Sequence, residues 1–162
     1  MGKSDALKSN LEQELFDKVA RFCAYQPRYS REVVEKLKQF GANQQLANKI
    51  SNKLQEYNYF NDSDFAHSFA IGKNRNNHWG KVKILLELKY RGIDESVIKS
   101  AIDKIDDDDY QQILTKIAGK KLSEIKVADK KLKFQKALQY LIGKGYENDI
   151  SIRILKDLTA DK

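Results

Sequence analysis

Three glycines, Gly41, Gly92 and Gly145, recur at intervals of about 50 residues, and each is the centre of one apolar pattern. Four residues before them stand Leu37, Leu88 and Leu141; eight before stand Val33, Ile84 and Ala137. Five after stand Leu46, Val97 and Ile150; nine after, Ile50, Ala101 and Ile154; thirteen after, Leu54, Ile105 and Leu158. Steps of four align side chains along one helix face. Each copy therefore predicts a helix, a sharp turn and a second helix. Glycine suits the turn because a positive φ costs it no Cβ clash. Asn43 and Asp94 follow at N-cap positions, where Glu147 stands in the third copy and Asn148 one residue later offers an alternative.

A further helix precedes each pair. The first covers about Leu11 to Tyr25 with Leu15, Val19 and Phe22 inward, and Pro27 with a Ser30 N-cap separates it from the next. The second starts in "YFNDSDFAHSFAIGK", capped by Asn61 or Asp62, with Phe65, Ala66, Phe69 and Ala70 as its buried stripe. The third starts in "IDDDDYQQILTKIAGKKL", with Tyr110, Leu114 and Ile117 inward and aspartates facing the positive end of the helix dipole. The expected fold is all-α: three tandem three-helix, helix-turn-helix-like repeats, each packing mainly on its neighbours. Their expected bounds are 11–58, 59–105 and 106–162, after a flexible N-terminus over 1–10. A single proline among 162 residues permits long helices and disfavours a turn-rich β architecture. The spacing is too long for tetratricopeptide repeats.

Few residues offer catalytic chemistry. His67 and His78 are the only histidines and Cys23 the only cysteine, and their spacing does not make a zinc site. Cys23, among apolar neighbours at helical spacing, reads as a packed thiol with no internal disulfide partner. There is no phosphate-binding G-x-x-x-x-G-K-[ST] run, and "DDDDY" lacks the glycine and glutamate of an EF-hand loop. The N-terminal "MGKSDALKSN" has no apolar signal region, and Ala6 breaks a myristoylation pattern. No apolar run is long enough to span a membrane. These features point to a non-enzyme in the cytoplasm, with no cofactor and no metal.

The charge points towards a partner. Lys and Arg number 30 against 23 Asp and Glu, a net charge of +7, which favours polyanions or acidic protein surfaces. One basic segment is "IGKNRNNHWGKVKILLELKYRG", with Lys73, Arg75, Lys81, Lys83, Lys89 and Arg91 against Glu87. Lys83 and Tyr90 are expected to point outward together. Trp79 reads either as a stacking platform or partner anchor, or as a plug between helices. A second segment, Lys116 to Lys136, holds eight lysines, among them Lys130, Lys131 and Lys133, against Glu124 and Asp129. Such a run reads either as a solvated helix face or as a phosphate-attracting stripe. Arg28 and Arg31 flank Ser30 as a smaller basic site.

The ordered motifs resemble the RecX family, regulators of the bacterial recombinase RecA, over about Leu11 to Leu158. The middle copy carries the most specific match: Asp62, Phe65, Ala66, Arg75, Gly80, Lys83, Ile84, Glu87, Leu88, Arg91, Gly92 and Ile93. The first contributes Arg28, Ser30, Val34, Lys36 and Leu37. The third contributes Gln135, Leu138, Leu141, Gly145 and Tyr146, with Lys144 where the family often has arginine. Trp79 before the glycine resembles one branch of the family. The resemblance implies an elongated, curved repeat array without catalysis. It implies a monomer that binds RecA filaments and, more weakly, single- or double-stranded DNA. Such a protein damps the ATPase, strand exchange and co-protease activities of the filament, placing it in recombination, DNA repair and the SOS response. The expected contact residues are Lys81, Lys83, Tyr90 and Arg91, with Arg28 and Arg31, and further candidates at Lys73, Arg75, Trp79, Lys130, Lys131 and Lys133. Two other readings of the residues stand beside it: a general nucleic-acid-binding helical protein, and a protein-interaction scaffold without RecA.

Overall fold

The computed structural model describes residues 2–160, and those residues form nine α-helices and no strand. Three groups of three follow in order: α1 (Lys3–Tyr25), α2 (Ser30–Gln39) and α3 (Gln44–Glu56); α4 (Asp62–Asn77), α5 (Lys81–Tyr90) and α6 (Glu95–Asp103); α7 (Asp107–Glu124), α8 (Lys130–Gly143) and α9 (Asn148–Thr159). The all-α repeat fold expected from the glycine spacing is present. Gly41, Gly92 and Gly145 have φ of +106°, +80° and +96°, the backbone region the pattern requires. Around Gly41 the Ala42 N–H donates to the Leu37 carbonyl at 3.1 Å. Around Gly145 the Tyr146 N–H donates to the Leu141 carbonyl, also at 3.1 Å. Both close the helix end in the same way, satisfying carbonyls the helix leaves open.

The residues four and eight before each glycine, and nine after, are all buried. Those five after, Leu46, Val97 and Ile150, are only half-buried. Leu158, expected inward, is 41% exposed in the last turn of α9, and Ile105 packs from the loop beyond α6.

The chain divides into two compact units, Met1–Phe65 with Arg91–Ile93, and Ala66–Tyr90 with Asp94–Lys162. In the first, α1, α2 and α3 pack on one another around Leu15, Val19, Val33, Leu37, Ile50 and Leu54. Each such side chain fully removed from water stabilises the fold by about 1.5–3 kcal/mol before entropy is counted. Glu12 pairs with Lys53 at 2.7 Å and Lys49 at 3.1 Å, fastening α1 to α3 on the outside. The α1 helix starts at Lys3, well before Leu11.

Two expected caps, Ser30 and Asp94, do not form; Asp94 precedes α6 with no side-chain cap hydrogen bond. Ser30 is the first residue of α2; its N–H and hydroxyl both donate to Asp62, at 2.7 and 2.9 Å. Asp62 is thereby taken, and Asn61 accepts from the Asp64 N–H at the start of α4. Glu147 precedes α9 without capping it, because its carboxylate accepts from the Tyr110 hydroxyl.

The second unit is knit at the start of α5. Its first-turn N–H groups have no intrahelical partner. The Gly80 N–H donates to the Lys144 carbonyl at 2.8 Å, the Val82 N–H to the Gly145 carbonyl at 2.9 Å, and the Lys81 N–H to the Tyr110 hydroxyl at 2.9 Å. The carbonyls of the turn that follows α8 thus meet the N-terminal donors of α5. By contrast α8 is capped within its own chain segment, by the Asp129 carboxylate accepting from the Lys131 and Leu132 N–H groups.

Candidate functional site

In the second unit Trp79 sits in the α4–α5 loop, held by its backbone. Its N–H donates to the Lys73 carbonyl at 3.1 Å, and its carbonyl accepts from the buried Asn74 amide at 2.9 Å. The indole is half-buried and meets Phe69 edge-on, with centroids 6.2 Å apart. Lys73 Nζ lies 4.8 Å and Lys83 Nζ 4.4 Å from the indole centroid. Each cation–π contact contributes about 0.5–1 kcal/mol at a site open to water. Trp79 therefore packs against Phe69, and its ring gathers two of the chain's own ammonium groups.

Lys81 has its ammonium 4.6 Å from the Tyr110 ring centroid and pairs with Asp107 at 3.4 Å. Arg75 pairs with Asp109 at 3.3 Å. The acidic first turn of α7 thus faces two of the expected contact cations. Tyr90 ends α5 and is 79% exposed. Lys83 is half-buried over the indole, so the two do not simply project together.

Tyr110 and Tyr146 support this surface from below, with ring centroids 5.3 Å apart. The Tyr146 hydroxyl donates to the His78 carbonyl at 3.0 Å, and His78 takes a positive φ of 58°. Burial first, then the bond to Glu147, raises the Tyr110 hydroxyl above the ordinary phenol range. Burial does the same for Tyr146. Neither phenol ionises near neutral pH, so both remain hydrogen-bond donors.

In the first unit Arg28 is buried. Its Nε donates to the Phe22 carbonyl at 3.0 Å, its guanidinium lies 3.5 Å from the Phe22 ring centroid, and it pairs with Glu32 at 3.0 Å. Its geometry is that of a structural tie. Arg31 is exposed on α2 and its guanidinium lies against Gly92. Arg91, half-buried, is close enough to Tyr29 to oppose the upward shift that burial gives that phenol. Lys130 and Lys131 are exposed in the first turn of α8, with Lys133 half-buried two residues beyond. Lys121 is drawn over the Tyr140 ring at 4.5 Å. The structure brings together Lys73, Trp79 and Lys83, and places Lys81 and Arg75 against α7.

Among the described residues no group of three or more His, Cys, Asp or Glu side chains is placed to hold a metal ion, and no helix is long and apolar enough to cross a membrane. The sequence reading missed the outward apolar row on α5, where Val82 and Leu86 are 44% and 58% exposed. Its signal was the contrast with Arg31 and Glu35 in the first copy and Gln135 and Gln139 in the third, which stand at the positions of Val82 and Leu86.

Fold and surface together define an all-helical protein of tandem three-helix repeats, with a cation-bearing aromatic cluster at its middle repeat. The segment that carries this cluster, residues 61–102, matches the family model described as "RecX, second three-helix domain". The chain is similar to the regulatory protein RecX of Bacillus velezensis, 30% identical over 85% of this chain and 52% of that one. It is similar to the regulatory protein RecX of Clostridioides difficile, 29% identical over 95% of this chain and 74% of the other. It thus spans about half the length of the Bacillus velezensis protein. A crystal structure of RecX from Lactobacillus salivarius superposes with a TM-score of 0.86, covering 93% of this chain and 97% of that one at 24% identity. The resemblance to RecX seen in the sequence motifs is borne out, and these relatives are named regulatory proteins.

Proposed function

We propose that this chain is a RecX-type regulator that binds RecA filaments on single-stranded DNA and lowers their ATPase, strand-exchange and co-protease activities. It acts in the cytoplasm as a binding protein and catalyses no reaction itself. The observation that carries this reading is the coincidence of the family match over residues 61–102 with the Lys73–Trp79–Lys83 cluster and its neighbour Lys81. Cations held at fixed places on a repeat surface suit a charged, periodic partner, and several modest contacts on one chain act at high effective concentration. The exposed lysines at the start of α8 add a second place where phosphate or carboxylate is attracted.

The test is ATP hydrolysis by the cognate RecA on single-stranded DNA, titrated with this protein. Decline at amounts well below those of RecA supports a filament regulator. Decline only when the protein is abundant enough to coat the DNA favours simple competition for DNA. Unchanged hydrolysis overturns the reading. Charge reversal at Lys83 and Lys81 is expected to weaken inhibition with helicity retained. Because Lys81 also faces Asp107, the paired Asp107→Lys change distinguishes a lost partner contact from a lost internal ion pair.

A further inference from the structure

The loop that carries Trp79 is bonded mostly from outside its own repeat. Three successive carbonyls accept there. Asn77 accepts from Lys144 Nζ at 2.9 Å, His78 from the Tyr146 hydroxyl at 3.0 Å and Trp79 from the Asn74 amide at 2.9 Å. Three successive N–H groups follow. Those of Gly80, Lys81 and Val82 donate to the Lys144 carbonyl, the Tyr110 hydroxyl and the Gly145 carbonyl. All of these partners except Asn74 belong to the third repeat, and of those all but Tyr110 lie in its α8–α9 turn. The α7–α8 loop is tied differently. Its Ile125 N–H donates to the Lys121 carbonyl, and its Asp129 accepts from the Lys131 and Leu132 N–H groups, all within one repeat. The clamped loop also holds His78 at a φ of +58°, a region that residues with a β-carbon seldom take and that persists where the surroundings enforce it. Tyr146 is 2% exposed and packs against Tyr110, so burial fixes its hydroxyl at the His78 carbonyl.

We infer that Tyr146 and Lys144 are positioning residues for the middle repeat's contact site. Lys73 belongs to α4 and Lys83 to α5, and the indole that gathers both ammonium groups stands in the loop between those helices. Lysine is a point charge on a flexible stem, and left alone it samples many rotamers. Holding the indole still therefore holds two cations in one place before a partner arrives. That lowers the ordering cost of binding an anionic surface there. Within its own repeat the loop is tied back to α4, through the Asn74 amide and the Lys73 carbonyl. The α8–α9 turn ties it forward, and so sets where α5 and Lys83 begin relative to the indole. The third repeat thus shapes a site to which Tyr146 and Lys144 contribute through the loop backbone. The inference rests on the reading of this cluster as the RecA contact.

Trp79 is the only tryptophan of the chain, so its emission reports this loop alone. The test compares the full chain with Tyr146→Phe, Lys144→Met and Lys144→Arg, well below the melting temperature of each, with helicity followed by circular dichroism. Lys144 is half-buried at the surface, so Lys144→Met keeps the test open should Tyr146→Phe fail to fold. Tyr146→Phe and Lys144→Met are expected to shift Trp79 emission to longer wavelength and to raise its quenching by acrylamide. In the RecA ATPase titration they are expected to inhibit about threefold to tenfold less well, the worth of one hydrogen bond. Lys144→Arg, which keeps a donor for the Asn77 carbonyl, is expected to recover both the emission and the inhibition lost in Lys144→Met. If the variants only melt lower, with parental emission and inhibition when folded, the two side chains merely stabilise the fold and the inference is overturned. If inhibition falls while emission is unchanged, they meet the partner directly, and it is overturned equally. A shifted emission with full inhibition overturns it too, because the loop then does not serve the partner. If the parent itself leaves RecA hydrolysis unchanged, the regulator reading falls, and the emission arm alone decides whether the third repeat sets the Trp79 loop.

Discussion

Gly145 lies against Lys83 so closely that a β-carbon on the glycine would overlap both the Cβ and the backbone nitrogen of Lys83. The turn between α8 and α9 is thus seated on the first turn of α5. Gly80 faces the same junction, where its own missing β-carbon leaves room for the Gly145 carbonyl. The corresponding glycine of the first repeat, Gly41, has nothing within 4 Å of where its β-carbon would stand.

This difference separates two substitutions that look alike in sequence. Gly41→Ala meets only the strain of a positive φ and is expected to cost about 1–2 kcal/mol. Gly145→Ala adds a steric overlap with backbone and is expected to cost about 2–5 kcal/mol. Urea denaturation of the two variants checks the order; equal losses would mean that the junction relaxes freely around an added methyl.

Tyr110→Phe removes one hydroxyl that serves two partners, Glu147 and the Lys81 N–H. The N–H it leaves behind is at a helix start with no intrahelical acceptor. A loss of about 1–3 kcal/mol is expected, with faster amide exchange at Lys81 as the local signature. If only the global stability falls and Lys81 exchange is unchanged, the hydroxyl does not cap α5 in solution.

Glu12 gives a pH signature. Its hydrogen bond to Lys53, then that to Lys49, holds its carboxyl below the ordinary glutamate range, against a small opposing effect of burial. A depressed folded-state pKa contributes stability above the unfolded value, near pH 4.5, and that contribution is lost as pH falls through the folded value. Glu12→Gln is therefore expected to be less stable than the parent at neutral pH, with the difference closing on acidification. Paired chemical melts at neutral and acidic pH check it; a difference independent of pH would assign the effect to packing. Added salt is expected to shrink the gap, since both lysines are exposed.

Cys23 is buried in α1, and that burial pushes its thiol up to about 11. The thiolate is the reactive form, so modification by a maleimide at neutral pH is expected to be slow in the folded protein and fast in urea. Fast labelling of the folded protein would show that α1 opens readily from α2 and α3.

The repeat itself was legible in the sequence, because its signal is local. Leucine four residues before each glycine and positive φ at the glycine follow from helix periodicity and from the absence of a Cβ, and neither needs knowledge of distant residues. Caps were read less well. Ser30 and Asp62 each have the chemistry of an N-cap, yet they hydrogen-bond one another across 32 positions of chain, leaving Asn61 to start α4. Glu147 has the poorest cap chemistry of the three turn positions, and Tyr110 explains its presence. Among the candidate contacts, Arg28 has the composition of a binding residue and the surroundings of a core residue.

The sequence by itself determined the helices, their glycine turns, the apolar stripes and the sign of the surface charge, since each is written in spacing within a few helical turns. Only the tertiary structure decided which cations stay open to a partner. It drew Arg28 onto Phe22, Lys73 and Lys83 onto Trp79 and Lys81 towards Asp107, and it left the Val82–Leu86–Tyr90 row facing water. The reason is physical: a side chain's charge is fixed by its type, but its partners are fixed by which distant helix is packed beside it.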